Sequence, residues 1–303
     1  MKKFLSLILI VMTLMTLTAC AEAPVMKVAS PSGAPGLALA TLAVQDPENY
    51  NFVAAETIAA EFAGKNADFI VAPVNAGAKL FKLGKSEYQL AAVVSWGNLF
   101  IASQKENFTL EDINGATITL FGENSVNAAV AEYALKANGL TPASIEYLGS
   151  AANTQTLLLT DANAIVLTAE PALTAARMKK DNITAYALND LYKAATGFDG
   201  YTQAGLFVKA ETAKAYPAEV EAYLKLIEES CGKNTTDVAA VAEAAVTLEL
   251  LPNVKVATTA IPNCAIRYVS ALEAKEQIEA TANIELSQFG GAVPADEFYY
   301  GAK

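Results

Sequence analysis

Two acids in this chain, Glu123 and Glu170, stand in short loops between an apolar strand pattern and a helix start. Paired carboxylates across a cleft can act as general acid and base, or they can receive an amine or a ring N–H. Nothing in the sequence spacing sets their separation, so a carboxylate-based hydrolase is only a minor alternative. The chain has no histidine. That removes a Ser-His-Asp triad, a Cys-His pair and histidine metal ligation. No Walker or dinucleotide-binding glycine pattern occurs either. The residues therefore predict binding rather than catalysis, with no metal and no cofactor.

Candidate binding groups lie where apolar runs end in polar or glycine-bearing loops. In open parallel sheets, ligands sit beyond the carboxyl ends of the strands. That rule collects Ser30, Ser32 and Gly33 after the first strand, and Pro73, Asn75 and Ala76 after the third. It also collects Glu123, Asn124 and Ser125, and then Glu170, from the second half of the chain. Trp96 and Asn98 precede one passage between halves, and Tyr201 and Gln203 precede the other. Backbone N–H groups at helix starts can hold an anionic oxygen. Hydroxyls and amides suit a small polar solute, and Trp96, Phe121 and Tyr201 can stack on a planar ring. No Arg or Lys is among them, which argues against a guanidinium-clamped ligand. Bland readings stand beside these. Trp96, the only tryptophan, equally fits a core. Glu170 fits the positive end of its own helix, Ser32 and Asn124 fit turns, and Tyr299 and Tyr300 fit packing.

The elements that position these groups come in two similar sets. The run Ala67-Asp68-Phe69-Ile70-Val71-Ala72-Pro73-Val74-Asn75-Ala76-Gly77 reads as a strand, a small-residue turn and a helix start. A similar corner, Ala162-Asn163-Ala164-Ile165-Val166-Leu167-Thr168-Ala169-Glu170-Pro171, follows about 95 residues later. Strands near 26–30, 50–55, 67–73 and 90–95 alternate with helices. The alternation restarts at 116–121, 145–148 and 162–167. This predicts an α/β fold of two βαβ lobes with parallel-core sheets, joined by a two-stranded hinge. The expected limits are 26–103 plus 206–303 for lobe 1 and 104–205 for lobe 2. Helices after 217, with Val220, Tyr223, Leu224 and Ile227 on one stripe, are expected to pack back on lobe 1.

The chain has 303 residues, 53% hydrophobic and 17% charged, enough for two cores and too apolar for global disorder. Its first 19 residues read as a leader. Lys2 and Lys3 precede an apolar run of about fourteen residues, shorter than the roughly 20 that span a bilayer. The run ends in Leu17-Thr18-Ala19-Cys20, which resembles the lipobox of bacterial lipoproteins. The resemblance implies cleavage before Cys20, a lipid on its thiol and a short tether over 20–25. The 32 acidic residues outnumber the 21 basic ones, and the leader takes two of the latter. Such a surface repels nucleic acid. Cys231 and Cys264 remain, as a disulfide or as two separately buried thiols.

Taken together, the lipobox, the paired lobes and the two passages resemble the solute-binding lipoproteins of bacterial ABC importers. The type II periplasmic-binding fold is the closer match. The motifs Ala67-Asp68-Phe69-Ile70-Val71-Ala72-Pro73, Val94-Ser95-Trp96-Gly97-Asn98, Glu170-Pro171-Ala172-Leu173 and the tail from Gly290 to Tyr300 resemble one branch. That branch binds nitrate, sulfonates, taurine or thiamine precursors. The resemblance implies an exported, membrane-anchored monomer that delivers a solute to an ABC permease while a separate ATPase subunit hydrolyses ATP. It leaves the ligand open between a small polar organic molecule, heteroaromatic in one version, and a sulfonate- or nitrate-like anion. A ligand-sensing receptor without transport is the other reading.

Overall fold

The computed structural model describes residues 24–302. The leader, the lipidation candidate Cys20 and most of the tether lie outside the described residues.

Eleven strands form two sheets among the described residues. The chain lays down β1 (Val28–Pro31), β2 (Tyr50–Val53), β3 (Phe69–Pro73) and β4 (Tyr88–Ser95) in the first. It then builds the second from β5 (Leu99–Ser103), β6 (Thr117–Phe121), β7 (Ser144–Leu148), β8 (Ile165–Ala169) and β9 (Thr184–Ala187). It returns to the first with β10 (Ala204–Lys209) and β11 (Ile266–Ser270). The orders are β11-β4-β10-β3-β1-β2 and β7-β6-β8-β5-β9. Each sheet has a parallel core, β2-β1-β3 in one and β7-β6-β8 in the other. Beside each core lies one antiparallel strand, β10 against β3 and β5 against β8. The two lobes are thus an α/β pair of the same design. Phe69, Ile70, Val71 and Ala72 are all buried, as befits a strand covered by helices on both faces.

One boundary differs from the sequence expectation. Leu99–Ser103 pairs with β8 and β9 and belongs to the second sheet, not to lobe 1. The first crossing is therefore residues 96–98. An apolar run resuming after Trp96-Gly97-Asn98 reads as a continuation of β4, and only the backbone turn at Gly97 (φ 83°) reassigns it. Likewise, the second crossing ends at Ala204 rather than 206. After β1 come two short pieces, a 3-10 turn Ala34–Ala38 and a helix Ala40–Ala43. The last helix runs Lys275–Ile284, starting after Ser270, which is held in β11 against Ala92 of β4.

The small residues that follow β3 have a packing reason. A Cβ on Gly77 would lie 2.2 Å from Cζ of Phe207, so the helix Val74–Lys82 approaches β10 only with glycine there. Phe207 is the hub of an aromatic cluster, its ring 5.2 Å from Phe62 and 6.0 Å from Phe298. Helix Pro217–Thr236 buries Val220, Leu224 and Ile227 against the first sheet's other face. Cys231 and Cys264 are free, separately buried thiols. Burial pushes the Cys231 thiol up to about 12 and raises that of Cys264 further, and each Sγ donates to a backbone carbonyl, of Ala38 and Ala260 respectively.

The crossings are cemented together. Asn189 Nδ2 donates to the carbonyls of Trp96 and Gly97 at 2.9 and 2.8 Å. The Gln203 amide donates to Ser95 O at 3.0 Å. The tail helix Lys275–Ile284 braces the second crossing, with Thr281 Oγ1 accepting from the Thr202 amide at 3.2 Å.

Candidate functional site

Because both parallel cores aim their carboxyl ends at the gap between the sheets, the loops of both lobes meet there. A cavity of about 520 Å³ lies in that gap, within the size range of small-molecule sites. Lobe 1 contributes Pro31, Ser32, Pro73, Asn75 and Ala76. Lobe 2 contributes Phe121, Asn124, Ser125, Asn127 and Glu170. The crossings add Asn98 and Gln203, β5 adds Leu99, and the tail adds Gln288. Among the described residues lining the cavity there is no lysine or arginine. The walls are largely apolar, with amides and hydroxyls set into them.

Local structure explains several placements. Ser125 caps helix Val126–Ala137, its Oγ accepting from the Ala128 amide at 3.3 Å. Asn124 before it has φ 59°, a left-handed conformation that asparagine tolerates better than most residues. It is thus both turn former and wall. Its carbonyl accepts from Gln288 Nε2 at 2.6 Å, a hydrogen bond between the tail and lobe 2. Ser95 Oγ donates to Gln203 Oε1 at 2.9 Å, Gln203 Nε2 to Asn98 Oδ1 at 3.1 Å, and Asn98 Nδ2 to Glu170 O at 2.7 Å. Side chains from both crossings and the end of β8 are held in one chain of amides.

Glu170 is buried, and its two carboxylate oxygens accept from the backbone N and the Oγ1 of Thr174, at 3.1 and 2.9 Å. It therefore does serve the start of helix Ala172–Arg177, which follows the cis Glu170–Pro171 peptide. Burial raises its pKa above the ordinary 4.5, only partly offset by the Thr174 hydrogen bonds, Arg177 and Asn263. The folded state then holds this proton more tightly than the unfolded chain does. Between 4.5 and the raised folded value, the folded state gains protons first, so this group's contribution to stability rises as pH falls and is lost as pH rises. Glu170→Gln is expected to remove that slope. Urea midpoints of wild type and variant, measured across the acidic range, should diverge as pH rises through the window; parallel curves would refute it.

Several expected site residues are elsewhere. Trp96 is fully buried, its indole N–H donating to Arg267 O at 3.1 Å beneath the Arg267 guanidinium, 4.3 Å from the ring. Tyr201 is also fully buried and reaches the site only through its hydroxyl, 2.7 Å from Asn127 Oδ1. Neither ring can stack on a solute. Ser30 is buried with its Oγ donating to Pro31 O, and Gly33, the residue before a short 3-10 turn, does not line the cavity. Glu123 is exposed and lines a second groove of about 470 Å³ with Glu132 and Lys136. That groove adjoins the cavity through Asn124, Ser125 and Gln288, and Glu170 lines the cavity while Glu123 does not. Ser32, Pro73, Asn75, Ala76, Asn98, Asn124, Ser125, Glu170 and Gln203 do meet at the cavity. Asn127 and Gln288 were not legible as site residues. The first lies two residues inside a helix, and the second lies in the tail, far from any strand end in sequence.

The model of the family described as NMT1/THI5 like matches residues 34–236. The chain belongs to the NMT1/THI5-like family. The matched segment includes both crossings and every cavity-lining residue except Pro31, Ser32 and Gln288. No curated protein sequence matches the chain. Solved structures share the fold. An ABC transporter structure from Parabacteroides distasonis superposes with TM-score 0.79 at 20% identity, covering 92% of this chain and 99% of that one. The aliphatic sulphonate binding protein SsuA from Escherichia coli gives 0.70 at 15% identity, with 92% of each chain covered. The alkanesulfonate-binding protein SsuA from Xanthomonas axonopodis pv. citri, bound to MOPS, gives 0.64 at 16%, covering 91% and 99%. In this NMT1/THI5-like chain the cavity lies between the two lobes of the shared fold.

Proposed function

We propose that this protein is an extracytoplasmic solute receptor that delivers a small polar organic molecule to an ABC importer. The observation that carries the reading is the cavity walled by both lobes and both crossings. A ligand there touches both sides only when the lobes are together, so binding favours the closed state. An ABC permease and its ATPase are the proposed partners, and the protein acts as a monomer held to the outer face of the membrane through a lipid on Cys20. The structural relative from Escherichia coli, named as periplasmic, and the lipobox-like Leu17-Thr18-Ala19-Cys20 support that placement. Release of ligand on closure-coupled docking needs no bond to be made or broken, and of the two acids only Glu170 lines the cavity, which supports binding rather than turnover.

The wall chemistry favours an uncharged, planar or weakly basic solute over a sulfonate. Two of the structural relatives are named for sulfonate binding, but here no cationic side chain faces the cavity. Phe121, Leu99 and Pro31 offer apolar faces to a ring, while the amides offer directional hydrogen bonds. A thermal-shift screen of pyrimidines, vitamins, amino acids, sulfonates and nitrate tests this. A true ligand at roughly 100 times its Kd is expected to add about 2.7 kcal/mol of stability. Shifts from sulfonates and not from uncharged heterocycles would overturn the ligand class. Unimpaired uptake of the ligand by cells lacking the protein would overturn the transport role in favour of sensing.

A further inference from the structure

We infer that Asn127 is a specificity-determining residue of the cavity, oriented to donate its side-chain N–H groups and so to select a solute that presents an unprotonated ring nitrogen or a carbonyl oxygen. This rests on the proposal that the cavity is the solute site. The carrying observation is the direction of the hydrogen bonds around the Asn127 amide. Tyr201 Oη donates to Asn127 Oδ1 at 2.7 Å. Gln203 Nε2 reaches the same oxygen at 3.4 Å.

The direction is anchored at Glu170 O, a backbone carbonyl that can only accept, so Asn98 turns Nδ2 to it and Oδ1 to Gln203. Gln203 is fixed in turn, because Asn98 Oδ1 takes a donor from it: Nε2 faces Asn98 and Asn127, and Oε1 accepts from Ser95 Oγ at 2.9 Å. With Gln203 Nε2 already turned to Asn127 Oδ1, the fully buried Tyr201 hydroxyl gives its proton to the same oxygen. An amide has one acceptor oxygen and two N–H donors. With Oδ1 committed twice, what Asn127 has left for a solute is Nδ2, for which no protein partner occurs among the described hydrogen bonds. Asn98 has the same polarity, its Oδ1 taken by Gln203 and only one Nδ2 bond given, to Glu170 O. This end of the cavity is therefore a donor surface. A solute that brings a donor or a protonated nitrogen leaves those N–H groups unpaired, and buried unpaired groups are costly.

Tyr201 is a positioning residue here. It never touches the solute, and it holds the Asn127 amide the right way round.

Asn127→Asp is the discriminating variant. It keeps an oxygen for Tyr201 and Gln203 to donate to, so the fold is preserved, and it replaces the donor with an acceptor. The probes are 4-amino-2-methylpyrimidine and its carbocyclic counterpart 3-methylaniline, titrated calorimetrically at alkaline pH, where the ring nitrogens carry no proton. Wild type is expected to prefer the pyrimidine by about tenfold or more. Asn127→Asp should abolish that ratio, and Tyr201→Phe should narrow it by letting the amide turn. The ratio is the readout because lost packing alone lowers both affinities together. An unchanged ratio in Asn127→Asp overturns the inference. A second arm needs no ligand: in 15N-labelled protein, the Asn127 Nδ2 protons should exchange with water as free amide protons do. Protected Nδ2 protons overturn the assigned orientation. If wild type binds neither probe, the heteroaromatic reading of the cavity falls, while the exchange arm still decides how Asn127 is turned.

Discussion

Gly200→Ala is expected to lower the unfolding free energy by about 3 kcal/mol or more, among the largest effects of any one-carbon change in this chain. Two costs coincide at this position. Its φ of 137° lies where side chains are strained, and a Cβ there would come 2.4 Å from the carbonyl oxygen of Trp96. That neighbour is backbone and cannot rotate away. It belongs to the other crossing, and it already accepts from Asn189 Nδ2, which would itself be 3.2 Å from the new carbon. Relief must therefore separate the two crossings. Gly197→Ala is the control. Its φ is 84°, it follows helix Leu188–Thr196, and no heavy atom lies within 4 Å of its built Cβ. It should cost only the backbone part, about 1 kcal/mol. Denaturant midpoints of both variants check this, and equal losses would mean that the crossings are not in contact at Gly200.

Trp96→Ala is the second large effect, with an expected loss of about 3–5 kcal/mol. The ring is fully buried between the crossings and β11, with the Arg267 guanidinium over one face. Truncation empties that volume, leaves Arg267 O without its indole donor, and removes the cation–π contact from a guanidinium that is itself partly buried. Trp96→Phe keeps an aromatic face beneath Arg267 and should cost about 1–2 kcal/mol, chiefly the lost hydrogen bond. Because the ring does not reach the cavity, Trp96→Phe should leave solute affinity within about threefold of wild type, less than the loss of one hydrogen bond would produce. Calorimetric titration beside chemical denaturation separates the two readouts. A tenfold loss of affinity with little loss of stability would return Trp96 to the site.

Both variants act on the hinge, and that is where sequence and structure part company. The lobes were legible because their signals are local. Apolar runs such as Phe69-Ile70-Val71-Ala72 and Ile165-Val166-Leu167 end in turns and helix starts, and their recurrence implies two parallel cores. The absence of histidine from the chain bounded the chemistry before any geometry was known. The rule that ligands gather at strand ends pointed to Asn75, Asn124 and Glu170, and the passages between halves pointed to Asn98 and Gln203; all five line the cavity, since strand ends are visible as the close of an apolar run.

What the tertiary structure decided depends on contacts between residues far apart in the chain. The membership of Leu99–Ser103 in the second sheet follows from its pairing with β8 and β9, not from its own composition. Trp96 and Tyr201 stand beside cavity residues in sequence, yet each ring turns inward because Arg267, Asn189 and the opposite crossing fill the space behind them. Asn127 reads as an ordinary helix residue until Tyr201, 74 positions later, donates to its oxygen. The sequence by itself determined an α/β pair of lobes with a weakly polar gap between them. Only the fold decided which side chains face that gap and which way their amides point, because hydrogen-bond direction is set by partners that the chain order does not place together.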